Sequence, residues 1–353
     1  MICSANGWME IQGNKKVKYM IKIGLIGFAQ GYYAVKYTSH LARLKGITLT
    51  GVCDLGCDDG YTRECAFVSA CDFANELKTR LYSDFHELLD QKPDAVIVAN
   101  ETHEHVKIVD AALSKGIHVF TAKPLTFKCE DVDYLRSKYN PLKQVLLCGN
   151  PLKYEKGLID VKEQISQGKI GKIISMSLMI NHEAMVNQEW ERDVLRSGGP
   201  LGTYGVYLID IIRWISGSDF KEIYAMGDNF VHKFIKTYDT VSVLARLHNG
   251  AICNLQLVST ISYEYPCVRL EVIGTEGSIV ANYDNYDYLL KSDNAVQLGN
   301  LRYSEMGFDE IEHFIACIEK KETEKCSIDD MVYVTRGIEA IGESIRNRCI
   351  VSL

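Results

Sequence analysis

The sequence predicts an N-terminal α/β domain built on a doubly wound parallel sheet, followed by an α+β domain with a mostly antiparallel open sheet. In the first half, short apolar runs such as 95–99 alternate with stretches of helical periodicity, as in a parallel sheet with crossover helices. In the second half the strands are longer and partly alternating, and Asn249–Gly250 joins two of them as a hairpin. These patterns place residues 20–150 in the first domain and 151–353 in the second, and they leave 1–19 as an N-terminal extension.

The individual elements follow from the same periodicities. In the first domain we predict strands at 23–26, 47–53, 95–99 and 117–120. We also predict three helices: one at about 72–78, one that begins after a cap at Ser83 or Asp84, and one that ends at Lys115. In the second domain we predict a helix at 154–167, strands at 241–247, 251–261, 268–273 and 278–281, and two amphipathic helices in the C-terminal tail. The run at 95–99 is continuously apolar, as expected for a central parallel strand buried on both faces.

Composition limits the classes of function. The chain has 353 residues, 47% hydrophobic and 24% charged, with a net charge of −7, and its largest basic cluster is the group at 15–18. This composition is typical of a globular protein and gives no reason to expect nucleic-acid or membrane binding. The twelve cysteines contain no C-x-x-C pair, so we interpret them as free thiols in a reducing cytoplasm and predict no metal site.

The first strand-to-helix turn has the layout of a dinucleotide site. Gly27, Phe28, Ala29 and Gly31 form a small-residue turn after an apolar run, and Asp54 ends the next apolar run. Such a turn lets a pyrophosphate approach the backbone and the N-terminus of the following helix, and the carboxylate can bind ribose hydroxyls. The same carboxylate repels a 2′-phosphate, so the sequence favours NAD over NADP.

The match to G-x-G-x-x-G is incomplete, because Ala29 replaces the second glycine. Gly31 is expected to supply the missing backbone freedom one position out of register. An α/β domain whose first turn merely needs small residues is the alternative at this point.

Two more candidate positions follow later strands of the first domain. Asn100, Thr102 and His105 come directly after the run at 95–99, and we expect them to cap the next helix and line a cofactor pocket rather than to bind a metal with His103. Lys123 follows the strand at 117–120 and precedes a proline, so it can reach into a cleft at the strand end.

A glycine-rich helix start marks the second domain. Glycines at 198, 199, 202 and 205 open an apolar helical pattern that carries Thr203, Tyr207 and Asp210. Tyr207 and Asp210 are three residues apart and share a helix face. The stretch 181–196 offers further candidate substrate contacts at His182, Trp190, Arg192 and Arg196.

Taken in order, these motifs resemble the glucose–fructose oxidoreductase / inositol dehydrogenase / MocA family over the whole chain from Met20. Any one of them is weak, but their order along the chain is specific. The residues that carry the resemblance are G-L-I-G-F-A at 24–29, V-C-D at 52–54, D-A-V-I-V-A at 94–99, T-H-E-H at 102–105, G-I-H-V-F-T-A-K-P at 116–124, G-K-I-G-K-I at 168–173, G-G-P-L-G-T-Y-G-V-Y at 198–207 and G-T-E-G at 274–277.

The resemblance implies an NAD(P)-dependent oxidoreductase that acts on a sugar, polyol or related alcohol. Lys123 matches the lysine of the family's E-K-P motif, which holds the reacting hydroxyl and lowers its pKa. Tyr207 stands at the acid/base histidine of the D-x-G-x-H motif, whereas Ala122 and Thr203 replace the two motif carboxylates. The implied catalytic pair is Lys123 and Tyr207. The implied cofactor-binding residues are Gly27, Phe28, Ala29, Gly31, Asp54, Asn100, Thr102, His105 and Lys123. The implied substrate-binding residues are Lys123, Trp190, Arg192, Thr203, Tyr207 and Asp210.

Two other functions stay open. The replaced motif residues are compatible with a dinucleotide-binding regulator that does not catalyse a reaction. An enzyme that uses transient oxidation by NAD to cleave a glycosidic bond is the other alternative. The resemblance also implies a homo-oligomer, a dimer or tetramer that pairs the faces of its second-domain sheets.

Overall fold

The computed structural model describes residues 3–4, 8–9, 17–18, 20–56, 69–182, 188–260, 268–282, 287–292, 295–300 and 308–353. Most of the predicted extension 1–19 therefore lies outside the described residues. Contacts divide the chain into two compact units. The first unit takes residues 1–125, 134–149 and 308–327, and the second takes 126–133, 150–307 and 328–353.

Helices follow the predicted pattern closely. Residues Tyr32–Tyr37 form a π-helical segment, and Pro151–Tyr154 form a 3₁₀ turn. The α-helices are α1 (Thr38–Leu41), α2 (Ala70–Glu76), α3 (Phe85–Asp90), α4 (Thr102–Ser114), α5 (Cys129–Lys138), α6 (Lys156–Ser166), α7 (Glu189–Arg192), α8 (Val194–Ser197), α9 (Gly199–Ser216), α10 (Phe308–Ile318) and α11 (Ile328–Asn347). Asp84 caps α3, since its side chain accepts the His86 N–H at 2.8 Å. No helix in the described part of the chain is both long enough and apolar enough to cross a membrane.

The first unit has a six-stranded sheet that is entirely parallel, and short antiparallel strands at Cys3–Ser4, Trp8–Met9 and Val17–Lys18 form a separate three-stranded sheet. The strands of the parallel sheet are β1 (Ile21–Ile26), β2 (Ile47–Cys53), β3 (Leu81–Tyr82), β4 (Ala95–Val98), β5 (His118–Thr121) and β6 (Leu146–Cys148). Their spatial order is 3-2-1-4-5-6, which is the order of a Rossmann fold. All four residues of β4 are fully buried, which explains the unbroken apolar run. The predicted doubly wound parallel sheet is confirmed.

The sheet of the second unit is mostly antiparallel, as predicted. Its strands are β7 (Ile173–Asn181), β8 (Phe220–Asp228), β9 (Thr240–Leu247), β10 (Ile252–Val258), β11 (Val268–Gly274), β12 (Gly277–Asn282), β13 (Asp287–Ser292), β14 (Ala295–Asn300) and β15 (Val351–Ser352). The order is 14-13-12-11-7-10-9-8-15, and β7 with β10 is the parallel pair among these strands. Residues of β9 alternate between buried and exposed, because α9 and α11 cover one face of the sheet.

Candidate functional site

Gly27 ends β1 in a conformation that favours glycine. Its φ is +86°, and a Cβ there would lie 2.4 Å from the Cβ of Asn100. Its N–H donates to the Cys53 carbonyl at 2.9 Å, which fixes the turn against β2. Gly31 differs from the expectation, because its φ of −57° and ψ of −29° are ordinary helical values that any residue adopts. The backbone freedom that the turn needs therefore comes from Gly27 and not from Gly31.

The residues after Gly27 leave the helix start open to an anion. Phe28 and Ala29 are buried, and the Phe28 ring packs edge-on against Phe73 with centroids 5.8 Å apart. No side chain caps the N-terminus of the π-helical segment at Gly31. Its first N–H groups can therefore bind a phosphate, and this turn fits the pyrophosphate of a dinucleotide.

The end of β2 is strongly acidic. The Asp54 carboxylate accepts the Gly56 N–H at 3.0 Å, which holds it at the strand end. Burial, together with the smaller effect of the negative charges of Asp84, Asp54 and Glu87, raises the pKa of the neighbouring Cys53 thiol to about 12. A carboxylate at this strand end can accept hydrogen bonds from ribose hydroxyls.

His105 is a fully buried bridge between two strand ends. Its Nδ1 lies 2.9 Å from the Pro124 carbonyl oxygen, and its Nε2 lies 3.0 Å from the Asn100 carbonyl oxygen. Burial lowers the pKa of this imidazole to about 4, so the ring is neutral at physiological pH. His105 thus ties the turn after β4 to the turn that carries Lys123.

The neighbouring polar residues have separate partners. Thr102 is buried in the first turn of α4, whereas His103 faces the carboxylates of Glu101 at 3.2 Å and Glu104 at 3.4 Å. His103 and His105 therefore do not converge on one point. Within the described ranges, no three His, Cys, Asp or Glu side chains form a group that could hold a metal ion.

Lys123 is half-buried directly after β5, and the Lys123–Pro124 peptide bond is cis. Burial lowers the pKa of its ammonium group to about 7, although the charges of Cys148 and Glu310 act in the opposite direction. An amine with this pKa is largely neutral above pH 7 and still binds a proton readily. Such a group can act as a general base near neutral pH.

The start of α9 explains the glycine cluster. Gly198 and Gly199 both have positive φ values, +76° and +65°, and a Cβ on Gly199 would lie 2.8 Å from the Thr237 side chain. The glycine at 199 therefore allows the helix backbone to lie close to a protein side chain, that of Thr237. From 199 to 212 of this helix, every residue is buried except Thr203 and Tyr207. These two are four residues apart and form one accessible stripe on the helix.

Asp210 lies one turn beyond Tyr207 and is 1% exposed. Its Oδ1 is 2.7 Å from the Nζ of Lys153, and its Oδ2 accepts the Asn150 amide N–H at 2.5 Å. Lys153 is itself 2% exposed, so this is a buried ion pair. Sequence analysis missed Lys153, whose only signal is a lysine within the apolar 3₁₀ turn after β6. The role of Asp210 as a substrate contact stays a prediction.

The stretch 181–196 is described except for residues 183–187. His182 stacks on Tyr204 with centroids 4.6 Å apart, and its Nδ1 is 2.8 Å from the Tyr204 hydroxyl. Trp190 is buried in α7 and donates its indole N–H to Gln188, whereas Arg192 at the end of α7 is exposed. Of these side chains, His182 is thus directly linked to α9, in the turn before Tyr207.

Comparisons with known proteins agree with this fold. Residues 21–147 match the family model described as the oxidoreductase family with an NAD-binding Rossmann fold, and residues 158–280 match the GFO/IDH/MocA C-terminal domain. The chain is 27% identical to myo-inositol 2-dehydrogenase of Thermotoga maritima over 73% of this chain and 81% of that protein. It is 25% identical to scyllo-inositol 2-dehydrogenase (NAD(+)) of Bacillus subtilis over 79% of this chain and 84% of that protein.

A solved structure, the oxidoreductase domain protein from Kribbella flavida, superposes with a TM-score of 0.81 at 18% identity. The superposition covers 95% of this chain and 99% of that one, which shows that the two share a fold. Since the two family models together span most of the sequence, this protein belongs to the GFO/IDH/MocA family of oxidoreductases.

Proposed function

We propose that this protein is an NAD-dependent oxidoreductase that converts a C–OH group of a sugar or polyol to a carbonyl, with Lys123 and Tyr207 as the reacting pair. The observation that carries the proposal is the Lys123 amine at the end of β5, whose pKa is lowered to about 7. The names of the two inositol dehydrogenases above support the class of substrate. The test is net formation of NADH with a panel of sugars and polyols.

Because the pKa of Lys123 is lowered, we assign the role of general base to Lys123 rather than to Tyr207. Above pH 7 the neutral amine of Lys123 accepts the proton of the alcohol O–H. NAD, when bound, would supply the acceptor for the hydride of the carbinol carbon. The Tyr207 hydroxyl donates a hydrogen bond to the alcohol oxygen and stabilises the negative charge that develops there. The alcohol thus loses one proton and one hydride, and a carbonyl remains.

The accessible stripe on α9 gives the other substrate contacts. Thr203 lies one turn before Tyr207, and its hydroxyl can both donate to and accept from a sugar hydroxyl. Trp190 and Arg192 stay in the proposed substrate site. His182 lies close to the Tyr204 hydroxyl, and Tyr204 lies in the α9 turn between Thr203 and Tyr207. We therefore assign the His182–Tyr204 pair the role of fixing this turn.

The proposed cofactor residues divide by function. Gly27 and Gly31 give the pyrophosphate access to backbone N–H groups, and Phe28 and Ala29 shape the same turn. His105 links Asn100 after β4 to Pro124 beside Lys123, and Thr102 is buried in the first turn of α4. All three stay in the proposed cofactor site. NAD is the proposed cofactor, and NADP is disfavoured by the acidic end of β2.

The preference for NAD can be measured with Asp54. A ligand at 100 times its Kd stabilises a protein by about 2.7 kcal/mol, which is measurable as a higher melting temperature. We expect NAD and NADH to raise the melting temperature more than NADP and NADPH do, because the Asp54 carboxylate repels a 2′-phosphate. Asp54→Ala is expected to weaken NAD binding about 10- to 100-fold, because a hydrogen bond to a charged group contributes about 1.5–3 kcal/mol. Asp90→Ala, which removes an exposed carboxylate of the same unit, is the matched control and should leave NAD binding unchanged. Equal affinity of Asp54→Ala for NAD and equal discrimination against NADP would contradict the assignment.

The exposed face of the second sheet is the proposed contact with a second copy of the chain. Tyr224, Met226 and Leu244 are exposed on β8 and β9, and Arg269 and Glu271 of β11 border the same shallow cavity. A patch with both charge signs can be complementary to itself across a two-fold axis. Light scattering should give a mass that is a multiple of 39.8 kDa, and Leu244→Asp should lower that mass. A wild-type mass of one chain would rule out this interface.

A further inference from the structure

A tyrosine from the segment after the Gly27 turn packs at the end of β6, the edge strand of the parallel sheet. Tyr33 lies in the π-helical segment Tyr32–Tyr37 and is 4% exposed. A Cβ built on Gly149, directly after β6, would lie 2.8 Å from Cε1 of Tyr33 and 3.2 Å from its hydroxyl oxygen. The Tyr33 ring therefore occupies the space that a side chain at position 149 would need, which explains the glycine there.

Gly149 is bonded to the strand that leads into Lys123. Its N–H donates to the carbonyl oxygen of Thr121, the last residue of β5, at 2.8 Å. The Tyr33 ring also packs against Phe120 of the same strand, with centroids 6.1 Å apart. Tyr33 thus supports the ends of both β5 and β6, and a single residue separates the end of β5 from Lys123.

The start of the π-helical segment is fixed to the end of β4. The Gln30 N–H donates to the Ala99 carbonyl oxygen at 2.9 Å, and the Gln30 side-chain amide donates to the Asn100 carbonyl oxygen at 3.3 Å. Gln30 is three residues before Tyr33, so these bonds limit how far the tyrosine can shift. The Tyr33 ring therefore keeps a fixed position relative to the turn that is proposed to bind the pyrophosphate.

The two halves of the parallel sheet are suited to different parts of a dinucleotide. A Rossmann sheet consists of two mononucleotide-binding halves, here β1 to β3 and β4 to β6. The Asp54 carboxylate, which is proposed to bind the ribose of the adenosine, lies in the first half. The second half, which carries Lys123, is then left for the nicotinamide. Tyr33 follows β1 of the first half but packs against β5 and β6 of the second.

We propose that Tyr33 is a positioning residue for the nicotinamide half of the cofactor site, where its ring holds the ends of β5 and β6 and with them the turn of Lys123. The inference rests on the proposed binding of NAD. Because the ring is buried, it acts through Gly149 and Thr121 and not through a contact of its own with the cofactor. Removing the ring should therefore weaken binding of the nicotinamide half and leave binding of the adenosine half unchanged.

Binding of NAD and of ADP-ribose, which lacks the nicotinamide ring, tests the proposal without any turnover. Isothermal titration calorimetry gives both dissociation constants for the full chain after bound cofactor is removed. Tyr33→Leu keeps an apolar side chain but removes the ring, and it should weaken NAD binding roughly five- to tenfold while changing ADP-ribose binding less than about twofold. Gly149→Ala, whose Cβ displaces the ring, should cause the same selective loss. Tyr33→Phe keeps the ring and should bind both ligands nearly as the wild type does.

Phe28→Leu is the matched control, because Phe28 lies in the same turn but packs against Phe73 of α2. It should weaken the binding of both ligands by the same factor. Equal losses of NAD and ADP-ribose in Tyr33→Leu would overturn the proposal, since a general distortion of the helix start would cause them. If Tyr33→Leu does not fold, a wild-type ratio of the two dissociation constants in Gly149→Ala would overturn it instead. A wild-type protein that binds neither ligand would refute the proposed NAD site itself, and this inference with it.

Discussion

Lys123→Met is expected to lower kcat/KM for sugar or polyol oxidation by about 10²–10⁴-fold, because it removes the general base while keeping an unbranched side chain that is one atom shorter. NAD binding should persist, since the glycine turn at Gly27 and the carboxylate of Asp54 are unchanged. The loss should appear mainly in kcat, as for a group that acts in the transition state. Steady-state kinetics and an NAD titration of the same protein measure both effects.

The pH profile separates a lysine base from a lysine that acts only as a positive charge. With a pKa near 7, a base makes wild-type kcat/KM rise as pH increases through about 7, since the neutral amine is the active form. A required ammonium would make it fall over the same range. Lys107→Met, at an exposed lysine of the same unit, should leave rate and profile unchanged. A Lys123→Met protein with wild-type kcat/KM would remove Lys123 from the mechanism.

The largest effect on stability is expected at the buried ion pair of the second unit. Lys153→Met leaves the Asp210 carboxylate buried at 1% exposure without its lysine, which typically costs about 3–5 kcal/mol. For a unit of this size that corresponds to a melting temperature lower by about 6–20 °C. Thermal and denaturant unfolding of the purified variant measure this loss.

Two further variants test whether the loss of stability in Lys153→Met comes from the buried charge of Asp210. The double variant Lys153→Met with Asp210→Leu should recover much of the lost stability, because no uncompensated charge then stays buried. Lys115→Met breaks the pair of Lys115 and Asp90, which has the same 2.7 Å separation but lies on the surface, and it should change stability little. Equal losses from Lys153→Met and Lys115→Met would contradict the account.

The sequence predicts the strands, their alternation with helices and the turn at Gly27 because each depends on neighbouring residues. A buried parallel strand such as β4 is an uninterrupted apolar run, and the hairpin at Asn249–Gly250 needs only its own turn. Lys123 and Tyr207 are predicted as site residues for the same reason, since each lies in a local motif.

Partners that are distant in sequence left no comparable signal. The periodicity of α10 shows an apolar face, but it does not say that the helix belongs to the first unit or that Glu310 is buried beside Tyr37. The sequence likewise does not distinguish Lys153 from a surface lysine, because its burial depends on Asp210, 57 residues away. At Gly31, the sequence suggested special backbone freedom, whereas the observed turn obtains it from Gly27.

The most direct test of the central claim is the absorbance of NADH during incubation of the purified protein with NAD and a panel of inositols, aldoses and other polyols. We expect net NADH, one equivalent for each carbonyl formed, with at least one member of the panel, and none with Lys123→Met. The claim would be contradicted by a protein that binds NAD, as shown by its melting temperature, but forms no NADH with any member. Release of sugar from a glycoside without net NADH would then indicate the glycoside-processing alternative, and binding with neither reaction would indicate a regulator.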